Sequence, residues 1–122
     1  MEKYIEVINR IFELLETVQE GLGYVNIQME ELRHEEALDM INDVLDGMES
    51  IENALEPMME HLSENTIKEL SLEVRKQLQT ALKYYEEEKM ESFVEANKNN
   101  LIPMFIRWKE EIHRVLRPYV LS

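Results

Sequence analysis

The sequence predicts an all-α fold, an antiparallel up-down-up-down four-helix bundle with a long first hairpin and a broken fourth helix. Three observations carry that expectation. Apolar residues recur at alternating steps of three and four, which keeps one stripe on one helix face, whereas a strand would need a period of two. Glycine and proline number three each among 122 residues and cysteine is absent, a composition that suits helices and leaves no disulfide framework and no thiolate for a metal or a nucleophile. The interruptions of the pattern are short, which forces consecutive helices to run antiparallel. The whole of 1–122 reads as one domain, large enough to bury about two-thirds of its unfolded surface.

The first stripe is Met1, Tyr4, Ile8, Ile11, Leu15, Val18, Leu22, Val25, Met29 and Leu32. It predicts a helix over about residues 2–31 that passes through Gly21 and Gly23, where a kink or a close helix approach is expected. The second stripe, Ala37, Ile41, Val44, Met48, Ile51, Leu55, Met58 and Leu62, predicts a helix over 35–61. The phase breaks between Leu32 and Ala37, so a tight reversal is expected at Arg33–Glu36. Pro57 lies inside the second helix and removes a backbone donor, which predicts a bend.

Ser63-Glu64-Asn65-Thr66 is a turn of capping residues, with Ser63 or Asn65 as the cap of a third helix over 65–88. Its stripe is Ile67, Leu70, Val74, Leu78, Ala81, Leu82 and Tyr85. The last stripe runs Met90, Val94, Asn97, Leu101, Phe105, Trp108, Ile112, Val115 and Tyr119. Asn97-Lys98-Asn99-Asn100 followed by Pro103 predicts a break near 97–101, with Asn99 or Asn100 capping a fresh helix that ends at Arg117. If Asn97 is helical, it is a polar specifier of register within the seam.

The net charge of −13 is unevenly placed. Residues 1–32 hold two bases against seven acids, and residues 33–62 hold one base against nine. Residues 63–89 and 90–122 are close to neutral, at −1 and +1. The first hairpin therefore carries the excess. Such a surface repels nucleic-acid backbones and anionic lipid, and it steers basic proteins inward. Met1-Glu2-Lys3-Tyr4 lacks the basic start of a signal peptide. The longest apolar run, Leu101–Ile106, is far short of the roughly 20 residues a membrane span needs. A cytoplasmic protein is the expectation.

Two Glu-x-x-His motifs, Glu31 to His34 and Glu110 to His113, are the most enzyme-like signal. Di-iron bundles use such pairs on facing helices. In this topology the two motifs fall at opposite ends, so no metal ligands, no catalytic residues and no cofactor are assigned. His61 and His113 share the lower end without ligand spacing, and surface histidines with no shared role are the plainer reading. The exposed ridge of helix 2, Asp39, Asp43 and Asp46, repels itself slightly at i, i+4 unless a basic partner meets it. It lacks the spacing of a calcium loop. In Leu101-Ile102-Pro103-Met104-Phe105-Ile106 the side chains surround the helix, so burial on more than one side is expected. Trp108 reads as core. Ile102 and Ile106 lie toward a flank, which the 90–99 stretch, a second copy of the chain or a partner protein would cover.

The stretch from Tyr84-Tyr85-Glu86-Glu87 through Leu101-Ile102-Pro103-Met104-Phe105-Ile106-Arg107-Trp108-Lys109 resembles a pattern in small, uncharacterised acidic helical-bundle proteins of Gram-positive bacteria. The resemblance implies a bacterial cytoplasmic helical protein and no activity. In size and acidity the chain also looks like secretion and flagellar export chaperones, a likeness of architecture alone.

The function expected from the sequence is non-enzymatic protein binding, as an adaptor or chaperone-like accessory. The protein-binding residues are Asp39, Asp43, Asp46, Ile102 and Ile106, and the partner is a basic protein or a second copy. The alternative is an acidic inhibitor or immunity-like protein that caps a basic toxin or nuclease. A metal-dependent bundle enzyme is the third reading.

Overall fold

A computed structural model describes residues 2–121, so Met1, placed in the first stripe, lies outside the described residues. A short 3₁₀ turn, Glu2–Tyr4, leads into helix α1, Ile5–Glu30. Helix α2 spans His34–Leu55 and tightens into a 3₁₀ segment at Glu56–His61. Helix α3 spans Ile67–Glu86. The fourth helix is α4, Met90–Ala96, a π-helical turn, Asn97–Leu101, and α5, Ile102–Leu116, ended by a 3₁₀ turn at Arg117–Tyr119. No strand is present among the described residues. This is the four-helix bundle that the periodicity predicts.

Both stripes of the first hairpin are core. Every member of the first from Ile8 to Met29 and of the second from Ala37 to Met58 is buried. Tyr4 and Leu62, at the far ends of the stripes, are half-buried, and Leu32 stands 80% exposed. The reversal occupies Glu31–Arg33, two residues earlier than the expected Arg33–Glu36. Leu32 adopts φ 60 there. The N–H of Arg33 donates to the carbonyl of Gln28 at 2.8 Å and that of Leu32 to Met29 at 3.0 Å, a left-handed cap that satisfies the last carbonyls of α1. Glu88, at φ 61, closes α3 in the same way, with Lys89 N–H donating to Tyr84 at 2.9 Å.

Helix α1 runs through Gly21 and Gly23 without interruption. A methyl group at Gly21 would sit 3.2 Å from Met40 Sδ, so this glycine does serve a close helix approach, whereas Gly23 faces open space. The tightest approach is at Gly47 on α2, where an added Cβ would fall 2.6 Å from Val18 Cγ2. Pro57, the second residue of the 3₁₀ segment, marks the tightening of the second helix where a bend was expected. At the start of α3 the Asn65 Oδ1 accepts the N–H of Ile67 at 3.0 Å, and Asn65 Nδ2 donates to the Ser63 carbonyl at 2.7 Å. Asn65 therefore does the capping.

The α-helix is interrupted at 97–101 as expected, but by a π turn rather than a loop. The chain stays helical, and neither Asn99 nor Asn100 caps a new helix. Pro103 has no N–H and crowds the carbonyl four residues before it, so the turn ahead of it widens to the π form. The extra residue rotates the seam. Phe93 and Ala96 are buried upstream of the turn and Asn97 at its first residue, while Met90 and Val94 are only half-buried. Asn97 is fully buried, and its Nδ2 donates to the Leu22 carbonyl at 2.9 Å and to Asn26 Oδ1 at 3.0 Å. Asn26 Nδ2 in turn donates to the Val94 carbonyl at 3.2 Å. This polar tie fixes the register of the fourth helix on α1, as the sequence proposes for Asn97.

Helix α1 packs along the length of α2, and α3 packs on α4, the π turn and α5, while α5 also lies on α1. Backbone approach between α2 and α3 is sparse by comparison. Trp108, Phe105 and Phe93 are the largest side chains in the shared core, with Trp108 edge-on to Phe105 at 5.7 Å.

Candidate functional site

The residues singled out from the sequence divide into two groups that the fold does not unite. Asp39, Asp43 and Asp46 are exposed on α2, and among the described residues none is in an ion pair. Ile102 and Ile106 are half-buried on α5, with Ile102 packed against the core. Helix α5 packs on α1 and α3, so it lies diagonally across the bundle from α2. One compact interface does not engage both groups. The all-round apolar run is resolved mostly within the chain: Leu101 and Phe105 are core, Met104 packs against it, and Pro103 alone is exposed.

The two Glu-x-x-His motifs stay apart. His34 opens α2 at the turn end, while His113 stacks on Phe12 with ring centroids 4.2 Å apart, near the start of α1. That places the two histidines about 30 Å apart along α1. Among the described residues no group of three or more His, Asp or Glu side chains is arranged to hold a metal ion. Burial pushes the His113 imidazole below its ordinary pKa, helped by the nearby charges of Arg117 and Lys109. His61 accepts a hydrogen bond on its carbonyl from Tyr119 Oη at 3.4 Å, which ties the C-terminal turn to the lower end.

The better-ordered charges belong to the frame. Glu52 is partly desolvated, which disfavours its charge, but hydrogen bonds from Arg75 and Ser71 outweigh this and hold it below the ordinary carboxylate range. The Arg114 guanidinium grips Glu111 at 2.7 and 2.9 Å, and the N–H and hydroxyl of Thr66 donate to the same carboxylate. Against the cost of burial, these hold Glu111 down at about 2.

Two apolar recesses stand out among the described residues. A recess of about 240 Å³ opens between the lower halves of α2 and α3, bordered by Leu55, Met59, Ile67, Leu72 and Trp108. A second, of about 430 Å³, lies at the turn end against Met29, Leu32, Met90 and Val94. Sequence reasoning missed this second recess. It assigned Met29 and Leu32 to the first buried stripe and Met90 and Val94 to the last. The left-handed turn exposes Leu32 and the rotated register leaves Met90 and Val94 half-buried, while Met29 stays in the core beneath them.

The geometry defines an all-α four-helix bundle. Residues 6–111 match the profile of a domain family of unknown function, DUF8042, and the chain belongs to that family. No curated protein and no solved structure matches the chain. Among the described residues no helix is long and apolar enough to cross a membrane.

Proposed function

We propose that this bundle is a non-enzymatic binding protein for basic protein partners, an adaptor or chaperone-like accessory. The observation that carries the reading is the exposed acidic ridge of α2, Asp39, Asp43 and Asp46, none of which is in an ion pair among the described residues. Asp39, Asp43 and Asp46 spend no charge on folding contacts, so their field is free to steer a cationic partner. Arg33, Lys89 and Lys109, by contrast, are held by glutamates of the same chain.

The test is affinity capture from native-host lysate at low and high salt, with the reversal variant Asp39→Lys/Asp43→Lys/Asp46→Lys alongside. A near-stoichiometric protein retained at low salt, released by high salt and lost in the variant is the expected result. Recovery of the bait alone refutes the reading. Tight capture of one toxin or nuclease through the same ridge assigns the inhibitor role instead. Ile106→Asp separates flank from frame: the half-buried position predicts a folded variant with an intact helical circular dichroism spectrum, and unfolding would make Ile106 core.

A further inference from the structure

The end of the bundle that carries the α1–α2 and α3–α4 turns holds an apolar recess of about 430 Å³. Met29, 5% exposed, forms its floor with the half-buried Met90 and Val94, Leu32 stands at its edge, and Glu30, His34, Glu91 and Glu95 complete its border. All three glutamates are exposed, and among the described residues none is in an ion pair. The neighbouring cations are already engaged, Arg33 with Glu31 and Glu36 and Lys89 with Glu87. An apolar depression with an uncompensated anionic border is the complement of an apolar side chain flanked by cations.

Resting on the protein-binding reading above, we propose that this recess docks a lysine- or arginine-rich amphipathic helix of a partner protein. One large apolar side chain of that helix enters between Met29, Met90 and Val94, and its cations meet Glu30, Glu91 and Glu95. Charge selects this occupant. A second copy would bring an equally acidic end against this one, and like charges repel across an interface. An anionic lipid surface is repelled for the same reason. The two methionines suit the role, since unbranched thioether chains remould around different apolar guests. Leu32, 80% exposed, contributes little packing to the fold, yet it extends the apolar lip of the recess.

The experiment uses the full chain carrying ¹³C-methyl methionine, titrated with a synthetic amphipathic helix of leucine and lysine, and with the same helix bearing glutamate for lysine. The expected result is a saturable shift of the Met29 and Met90 methyl signals with the lysine peptide alone. Met48 and Met58, buried in the core, report the unperturbed interior. Leu32→Gly, which removes the apolar lip, and Glu91→Lys/Glu95→Lys each weaken binding about tenfold or more. Unchanged affinity in Leu32→Gly overturns the proposal, as do equal shifts with the glutamate peptide. Shifts that grow with protein concentration in the absence of peptide assign the recess to a second copy and also overturn it. Binding that spares Met29 and Met90 but is lost on reversal of Asp39, Asp43 and Asp46 refutes the recess while the protein-binding reading stands. No peptide binding, together with recovery of the bait alone from lysate, refutes both.

Discussion

Leu32 shows how a single residue departs from a pattern that its spacing continues. It sits three positions after Met29, as a seam residue should, but the helix has ended at Glu30 and its φ of 60 turns it to solvent. A β-carbon in the left-handed region costs about 1–2 kcal/mol. Leu32→Gly therefore raises stability by about 1 kcal/mol, seen as a melting point a few degrees higher, and Glu88→Gly acts in the same direction. Glu111 supplies a pH signature. Its carboxyl is held at about 2, below the ordinary 4.5, so the folded state binds this proton less readily than the unfolded chain. The stabilisation is complete above pH 4.5 and is lost as pH falls through 2. Glu111→Gln should lower stability by about 1 kcal/mol at pH 7. The gap between variant and parent in urea midpoint should close steadily between pH 4.5 and 2.

At the scale of elements, the sequence was most legible where one side chain in three or four decides burial. Helices α1 and α3 appear within three residues of their expected bounds, and α2 reaches its expected end only through the 3₁₀ segment that follows Leu55, because their stripes are long and unbroken. The fourth helix was legible only downstream of its turn. Leu101, Phe105, Trp108, Ile112 and Val115 are core as their spacing predicts, but the π turn adds a residue that no regular period includes. Phe93 and Ala96 were therefore missed. The α-helix is interrupted where the asparagines read as a break, but the chain winds on as a π turn and Asn97 finds its partners on α1 some seventy positions away, which no local pattern reveals. Glycine roles were equally hidden. Gly47 is small because Val18 approaches it, and Gly23 has no such neighbour. Gly47→Ala should cost about 1–3 kcal/mol through the branched Val18 side chain. Gly23→Ala should add up to about 1 kcal/mol from helix propensity. Chemical denaturation of the two variants gives opposite signs.

Across the whole molecule, charge and packing divide along the same line. The first hairpin carries the acidic excess on its outer face and packs most densely within itself, and the second hairpin is nearly neutral. The candidate site was legible in part for this reason. Charge is additive along the sequence, so the acidic face could be read from residue counts. The recess depends on two turns and a rotated register, none of which is local. Where a partner binds, the expected consequence is an association rate that falls steeply with ionic strength and a dissociation rate that hardly changes, measurable by stopped flow.

The sparse edge between α2 and α3 gives the molecule a direction in which to open. On three sides of the bundle the helix backbones approach closely. On the fourth, Glu52 reaches Ser71 and Arg75, and the Tyr85 hydroxyl donates to the His34 carbonyl at 3.2 Å. The two hairpins are thus like the covers of a book whose spine is the contact of α1 with the fourth helix, tied by Asn97, and whose free edge is fastened by two clasps. A force or a solvent fluctuation that parts the covers releases the clasps first and leaves the spine, with its buried amide tie, intact. The lower ends of α2 and α3, beyond the Glu52 clasp, should then exchange their amide hydrogens soonest, and the midpoint of α1 should exchange them last.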